Sequence, residues 1–77
     1  KPHPEPYLTA ARMLGMSPAQ CVVIENAPLG IASAKKAGMY CIALTTSLPP
    51  TYLKKADRIV NSFSEITEII DRKCSGK

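Results

Sequence analysis

Two short stretches of this 77-residue chain hold residue types suited to chemistry: Lys1 at the head of "KPHPEPY", and Glu25–Asn26 closing "CVVIEN". A lysine carries a compact positive charge that can meet an anion. Prolines at positions 2, 4 and 6 fix φ and push the residues before them toward extended geometry, so the lead-in behind Lys1 is stiff. On its own the stretch also reads as a disordered basic terminus. Glu25 ends a β-branched apolar run, and a carboxylate there is costly to bury unless it is paired, hydrogen-bonded or bound to a cation. A carboxylate beside an amide oxygen suits Mg²⁺, which takes oxygen ligands and keeps several waters. The competing reading is that Glu25 and Asn26 cap the next helix and meet solvent. From the residues alone both readings stay open.

Such residues need elements to hold them. "PYLTAARML" puts Tyr7, Ala11 and Leu14 on one helical face, with Gly15 as a stop. "CVVIE" (21–25) reads as a strand covered on both faces of a parallel sheet. "NAPLGIASAKKAG" predicts a helix over 28–38, with Pro28 in its first turn and Gly38 at its end. "YCIAL" (40–44) is a second buried strand, "PPTYLKKA" a short helical turn and "DRIV" a third strand. "SFSEITEIIDRK" predicts a last helix with a Ser62–Glu65 capping box and an inward face of Phe63, Ile66, Ile69 and Ile70. Gly30, Ala34 and Ala37 form a nearly side-chain-free stripe, suited to close packing on the sheet. The final "CSGK" reads as a frayed tail.

The alternation of helices and strands implies βαβ crossovers, an α/β fold and a parallel sheet in which the two longer strands are neighbours. Ligands of open α/β sheets bind outside the carboxyl ends of the strands, where Glu25 and Asn26 fall.

Composition narrows the function. The net charge of +4 is scattered, and three tyrosines with one phenylalanine make a poor stacking surface, which argues against nucleic acid. No apolar run approaches the ~20 residues of a membrane span, and no signal-peptide pattern is present. Cys21, Cys41 and Cys74, without CxxC spacing, suggest neither a disulfide framework nor a zinc site. Cys21 and Cys41 each open an apolar run, as buried thiols of a reducing, cytoplasmic protein would.

"KPHPEPY", "CVVIENAPLGIASAKKAGM" and "ADRIVNSFSEI" together resemble the C-terminal half of the core domain of haloacid dehalogenase-like phosphohydrolases, in the β-phosphoglucomutase and phosphoglycolate phosphatase-like group. The resemblance runs over nearly the whole chain. It implies a partial Rossmann-like parallel sheet with flanking helices over residues 1–77. It also implies that Lys1 contacts the transferring phosphoryl group and that Glu25 and Asn26 hold Mg²⁺. The substrate would be a phosphorylated small molecule, attacked by an aspartate that becomes phosphorylated. Many relatives have Asp where this chain has Asn26, which implies a more weakly held metal or a larger share for Glu25. The family's Asp-x-Asp nucleophile strand, Ser/Thr motif and substrate-selecting cap do not occur here: the only aspartates are Asp57 and Asp71. The 77 residues alone are therefore expected to be inactive and to need the N-terminal half of the same protein. The alternative is a non-catalytic α/β half-domain that binds or completes another chain. A nucleotide-binding βαβ unit is disfavoured because neither Gly-x-Gly-x-x-Gly nor a P-loop follows a strand.

Overall fold

A computed structural model of the chain describes residues 3–45 and 48–75, with side chains through Arg72. Three helices flank a three-stranded parallel sheet: α1 (Glu5–Leu14), β1 (Val22–Glu25), α2 (Pro28–Lys36), β2 (Tyr40–Leu44), β3 (Arg58–Val60) and α3 (Phe63–Ser75). Short 3-10 turns at Pro18–Gln20 and Pro50–Leu53 link α1 to β1 and β2 to β3. The sheet order is β1-β2-β3. Val23 faces Cys41, Ile24 faces Ile42 and Glu25 faces Ala43, while Ala43 faces Ile59 across the other pair.

Glycines end both early helices because a left-handed residue can turn the chain there without a Cβ clash. Gly15 (φ 70°) and Gly38 (φ 81°) do this. Their amides bond back to Arg12 and Lys35, and the next amides, of Met16 and Met39, reach Ala11 and Ala34. At α3, the Ser62 hydroxyl accepts from the Glu65 amide at 3.4 Å, but the Glu65 carboxylate reaches past Ser62 to the Asn61 amide at 3.1 Å. The expected box is thus extended by one residue.

Strand alternation divides the core. Cys41 and Ala43 pack with Ile31, Ala34 and Leu53 on the face covered by α2, and Tyr7 of α1 joins them. Ile42 and Leu44 pack with Val60, Ile66 and Ile69 under α3. Ala11, Ala37 and Met39 seal α1 to α2. The central strand β2 is the buried one. β1 is an edge strand here, with Ile24 44% exposed, because α3 covers β2 and β3 and does not extend over the end of β1. "CVVIE" is therefore not covered on both faces by the described residues.

Two expected core residues are on the surface. Leu14 is 69% exposed beside the C-terminal turn of α1, and Phe63 is 70% exposed at the first position of α3. Helical spacing puts both on the apolar side, but each sits where its helix runs past the edge of what it packs on. No helix among the described residues is long and apolar enough to cross a membrane.

Candidate functional site

Glu25 is the last residue of β1, and the alternation that sends Ile24 toward the α3 side turns Glu25 toward α1 and α2. Its carboxylate is half-buried. Oε1 accepts from the backbone amides of Asn26 (3.2 Å) and Ala27 (3.3 Å). Oε2 accepts from the Tyr7 hydroxyl at 3.1 Å. The Tyr7 hydroxyl's pKa is raised, by burial first and then by the nearby Glu25 charge, because both disfavour a phenolate.

Gly30 makes room for this arrangement. A Cβ built on Gly30 would overlap the Glu25 carboxylate carbon and both its oxygens. The small-residue stripe thus has two jobs. Ala34 and Ala37 are buried against the sheet and α1 as expected, whereas Gly30 faces a side chain at the strand's end.

At this end of the strand lies a shallow cleft of about 190 Å³ lined by Ile24, Glu25, Asn26, Leu44 and Phe63. It opens at the carboxyl ends of β1 and β2, and Asn26 is exposed on its rim. A larger groove, about 430 Å³, lies elsewhere between β3 and α3 (Arg58, Glu65, Glu68 and Arg72 among its lining) and contains neither Glu25 nor Asn26.

The donors fit part of a Mg²⁺ site. All of Glu25's partners among the described residues are neutral, and the ion pairs there, Arg12–Glu5 and Lys35–Asp57, lie elsewhere. A carboxylate whose hydrogen-bond partners carry no charge keeps its full negative charge for a cation. Hard cations accept one carboxylate plus neutral oxygens and waters, so Glu25 and Asn26 would be the residues that hold one. No group of three or more His, Cys, Asp and Glu side chains comes together among the described residues, so this chain's described side chains supply only part of a coordination shell. Lys1 lies outside the described residues.

Sequence reasoning missed Tyr7 and misassigned Gly30. Tyr7 was legible as a buried-face residue of α1, and a partly buried tyrosine usually finds a partner for its hydroxyl. What the spacing does not give is which partner.

The family model for haloacid dehalogenase-like hydrolases matches residues 1–44, more than half of the chain. The chain belongs to this family. Among its relatives, the validoxylamine A 7'-phosphate phosphatase of Streptomyces hygroscopicus subsp. limoneus is 42% identical over 66 residues, 86% of this chain and 31% of that protein. The β-phosphoglucomutase of Bacillus subtilis (strain 168) is also 42% identical, over 67 residues, 87% of this chain and 28% of that protein. A conserved haloacid dehalogenase-like protein from Agrobacterium tumefaciens str. C58 superposes with a TM-score of 0.84 at 27% identity, covering 97% of this chain and 37% of that one. The chain thus spans less than a third of the length of these two curated relatives. As a haloacid dehalogenase-like chain it has the expected fold, a parallel sheet with helices on both faces.

Proposed function

We propose that residues 1–77 supply two parts of a Mg²⁺-dependent phosphoryl-transfer site, in a phosphatase or phosphomutase that acts on a phosphorylated small molecule. Lys1 contacts the transferring phosphoryl group, and Glu25 with Asn26 holds the metal. Mg²⁺, when bound, adds positive charge beside the phosphate. The chain's own residues do the positioning: β1 ends at the cleft, and the Asn26 and Ala27 amides with the Tyr7 hydroxyl fix the carboxylate. Positioning and charge placement are the main sources of catalysis in phosphoryl transfer. The nucleophile in this reading is an aspartate outside residues 1–77, so the 77 residues alone are inactive.

One observation carries the proposal. The helix that follows Lys1 is hydrogen-bonded, through Tyr7, to the carboxylate that has no described cation of its own. The names of the phosphatase and the phosphoglucomutase among the relatives support the reaction class.

The partner in this reading is the remaining part of the same protein. The exposed edge of β1 and the short span of the relatives covered both support it. The same edge would also serve a non-catalytic half-domain that completes another chain. The buried Cys41 and the free Cys21 agree with a reducing, cytoplasmic setting.

The test is Lys1→Ala in the full-length protein, assayed with Mg²⁺ and p-nitrophenyl phosphate or sugar phosphates. Turnover should fall about 10²–10³-fold, the size of the loss when one group stabilising transition-state charge is removed. The melting temperature should stay put. Equal rates in variant and parent would remove Lys1 from the catalytic set and leave the half-domain reading.

A further inference from the structure

We propose that Tyr7 and the space above Gly30 together are the device that orients Glu25 toward its cation; the proposal rests on the reading of Glu25 as a metal-holding residue. The last torsion of a glutamate side chain is soft and poorly fixed by rotamer preference. Something else must hold the carboxylate if it is to meet an ion in one orientation. Three contacts do so here. The Asn26 and Ala27 amides take Oε1, and the Tyr7 hydroxyl takes Oε2 at 3.1 Å.

A carboxylate offers about four lone-pair sites. Two amides fill Oε1, so Oε2 keeps an acceptor position beyond Tyr7 among the described residues. The amides therefore leave Oε2 as the available oxygen, and the Tyr7 hydroxyl, taking one of its acceptor positions, fixes the direction in which the other faces. Gly30 supplies the space, since any side chain there would occupy the carboxylate's position.

Tyr7 itself is held firmly. Its ring packs against the clusters containing Ile31 and Ala34 on one side and Ala11 and Met39 on the other. The hydroxyl thus joins the helix behind "KPHPEPY" to the strand end of "VVIEN" across 18 residues of sequence. This gives the Tyr7 hydroxyl a role separate from its ring: the ring fills the core, and the hydroxyl aims the carboxylate.

The experiment measures Mg²⁺ affinity by calorimetry on the full-length protein without substrate, for the parent, Tyr7→Phe, Gly30→Ala and Glu25→Gln. Melting temperatures and the backbone ¹⁵N–¹H shifts of Asn26 and Ala27 are recorded alongside. Tyr7→Phe keeps the ring, so its melting temperature should hold while Mg²⁺ binding weakens roughly tenfold, as when a partner behind a metal ligand is removed. Gly30→Ala should weaken binding at least as much and shift both amides, because the carboxylate leaves them. It also stands in for Tyr7→Phe if that variant folds poorly.

If Glu25→Gln weakens binding while Tyr7→Phe and Gly30→Ala do not, the orienting device is wrong and the metal reading survives. If Glu25→Gln leaves the affinity unchanged, the metal reading falls and this proposal falls with it.

Discussion

Two carboxylates mark opposite ends of the sheet, and they differ in the side-chain donor each accepts. Asp57, ahead of β3, accepts the Cys41 amide at 2.7 Å and the Lys35 ammonium at 2.7 Å. Its own amide bonds back to the Cys41 carbonyl, and Lys35 reaches the Met39 carbonyl at 3.1 Å. Glu25, at the carboxyl end of β1, also accepts backbone amides and one side-chain donor, but that donor is the neutral Tyr7 hydroxyl. Asp57 is matched in charge and knits α2, β2 and β3 together. Among the described residues Glu25 is matched only in hydrogen bonds. A carboxylate held in place by neutral groups is oriented without being neutralised, as the proposed metal site requires.

Exchanging the two should separate function from stability. In the full-length protein, Glu25→Ala should weaken Mg²⁺ binding by two orders of magnitude or more, because it removes the one carboxylate of the pair. Asp57→Ala should leave that affinity alone and cost about 1–3 kcal/mol of stability, since it strands the Cys41 amide and the Lys35 charge. Calorimetric metal titration and urea unfolding of both variants make the comparison. An Asp57→Ala protein that loses Mg²⁺ affinity as badly as Glu25→Ala would show that the two ends act as one unit.

That separation bears on what a sequence can disclose. The strand at 40–44, the helix from Pro28 and the glycine stops at 15 and 38 follow from local chemistry: a short apolar run, a proline in a first turn, glycine where φ turns positive. Position along the chain also put Glu25 and Asn26 at the carboxyl edge, because strand-then-helix order in a parallel sheet leaves little choice. The failures share a cause. Leu14 and Phe63 satisfy helical periodicity, yet what they face depends on how far each helix overlaps the sheet. Gly30 fits a packing stripe by spacing, and only the path of the Glu25 side chain from a neighbouring element gives it a second role. Tyr7 and Asp57 are likewise defined by partners 18 and 16 residues away. No local pattern encodes those distances.

Asn26 offers a gentler change at the proposed metal end. Its exposed side chain sits on the rim of the cleft beside Glu25, and an amide supplies oxygen without charge. Asn26→Asp adds a unit charge at a solvated position, where effective dielectric screening keeps each interaction to a kcal/mol or so. The expected outcome is Mg²⁺ binding tighter by several-fold, read as a lower half-saturating concentration for activity in the full-length protein. A half-saturating concentration that stays the same or rises would mean that Asn26 faces away from the ion. The identical substitution near Asp57 has no equivalent, because that carboxylate already has its cation.

Cys41 reports on the two ends at once, through a smaller effect. Burial comes first in pushing its thiol up to about 11 from an ordinary 9.0, followed by the charge of Asp57 and then that of Glu25, with Lys35 pulling the other way. A folded-state pKa above the unfolded one means that the fold favours the protonated thiol. Its contribution to stability is then fully present below pH 9 and is lost as pH rises from about 9 toward 11. Urea midpoints of the parent and of Cys41→Ala should therefore differ by a gap that narrows over that window, whereas a gap constant with pH would contradict the burial of the thiol. At pH 8 iodoacetamide should label the half-buried Cys21 and spare Cys41, with the modified positions mapped by mass spectrometry. Since Asp57 acts on the thiol more strongly than Glu25 does, Asp57→Ala should bring Cys41 labelling to lower pH by a larger step than Glu25→Ala. The reverse order would mean that the carboxylate at the cleft, not the paired one, dominates the field inside the sheet.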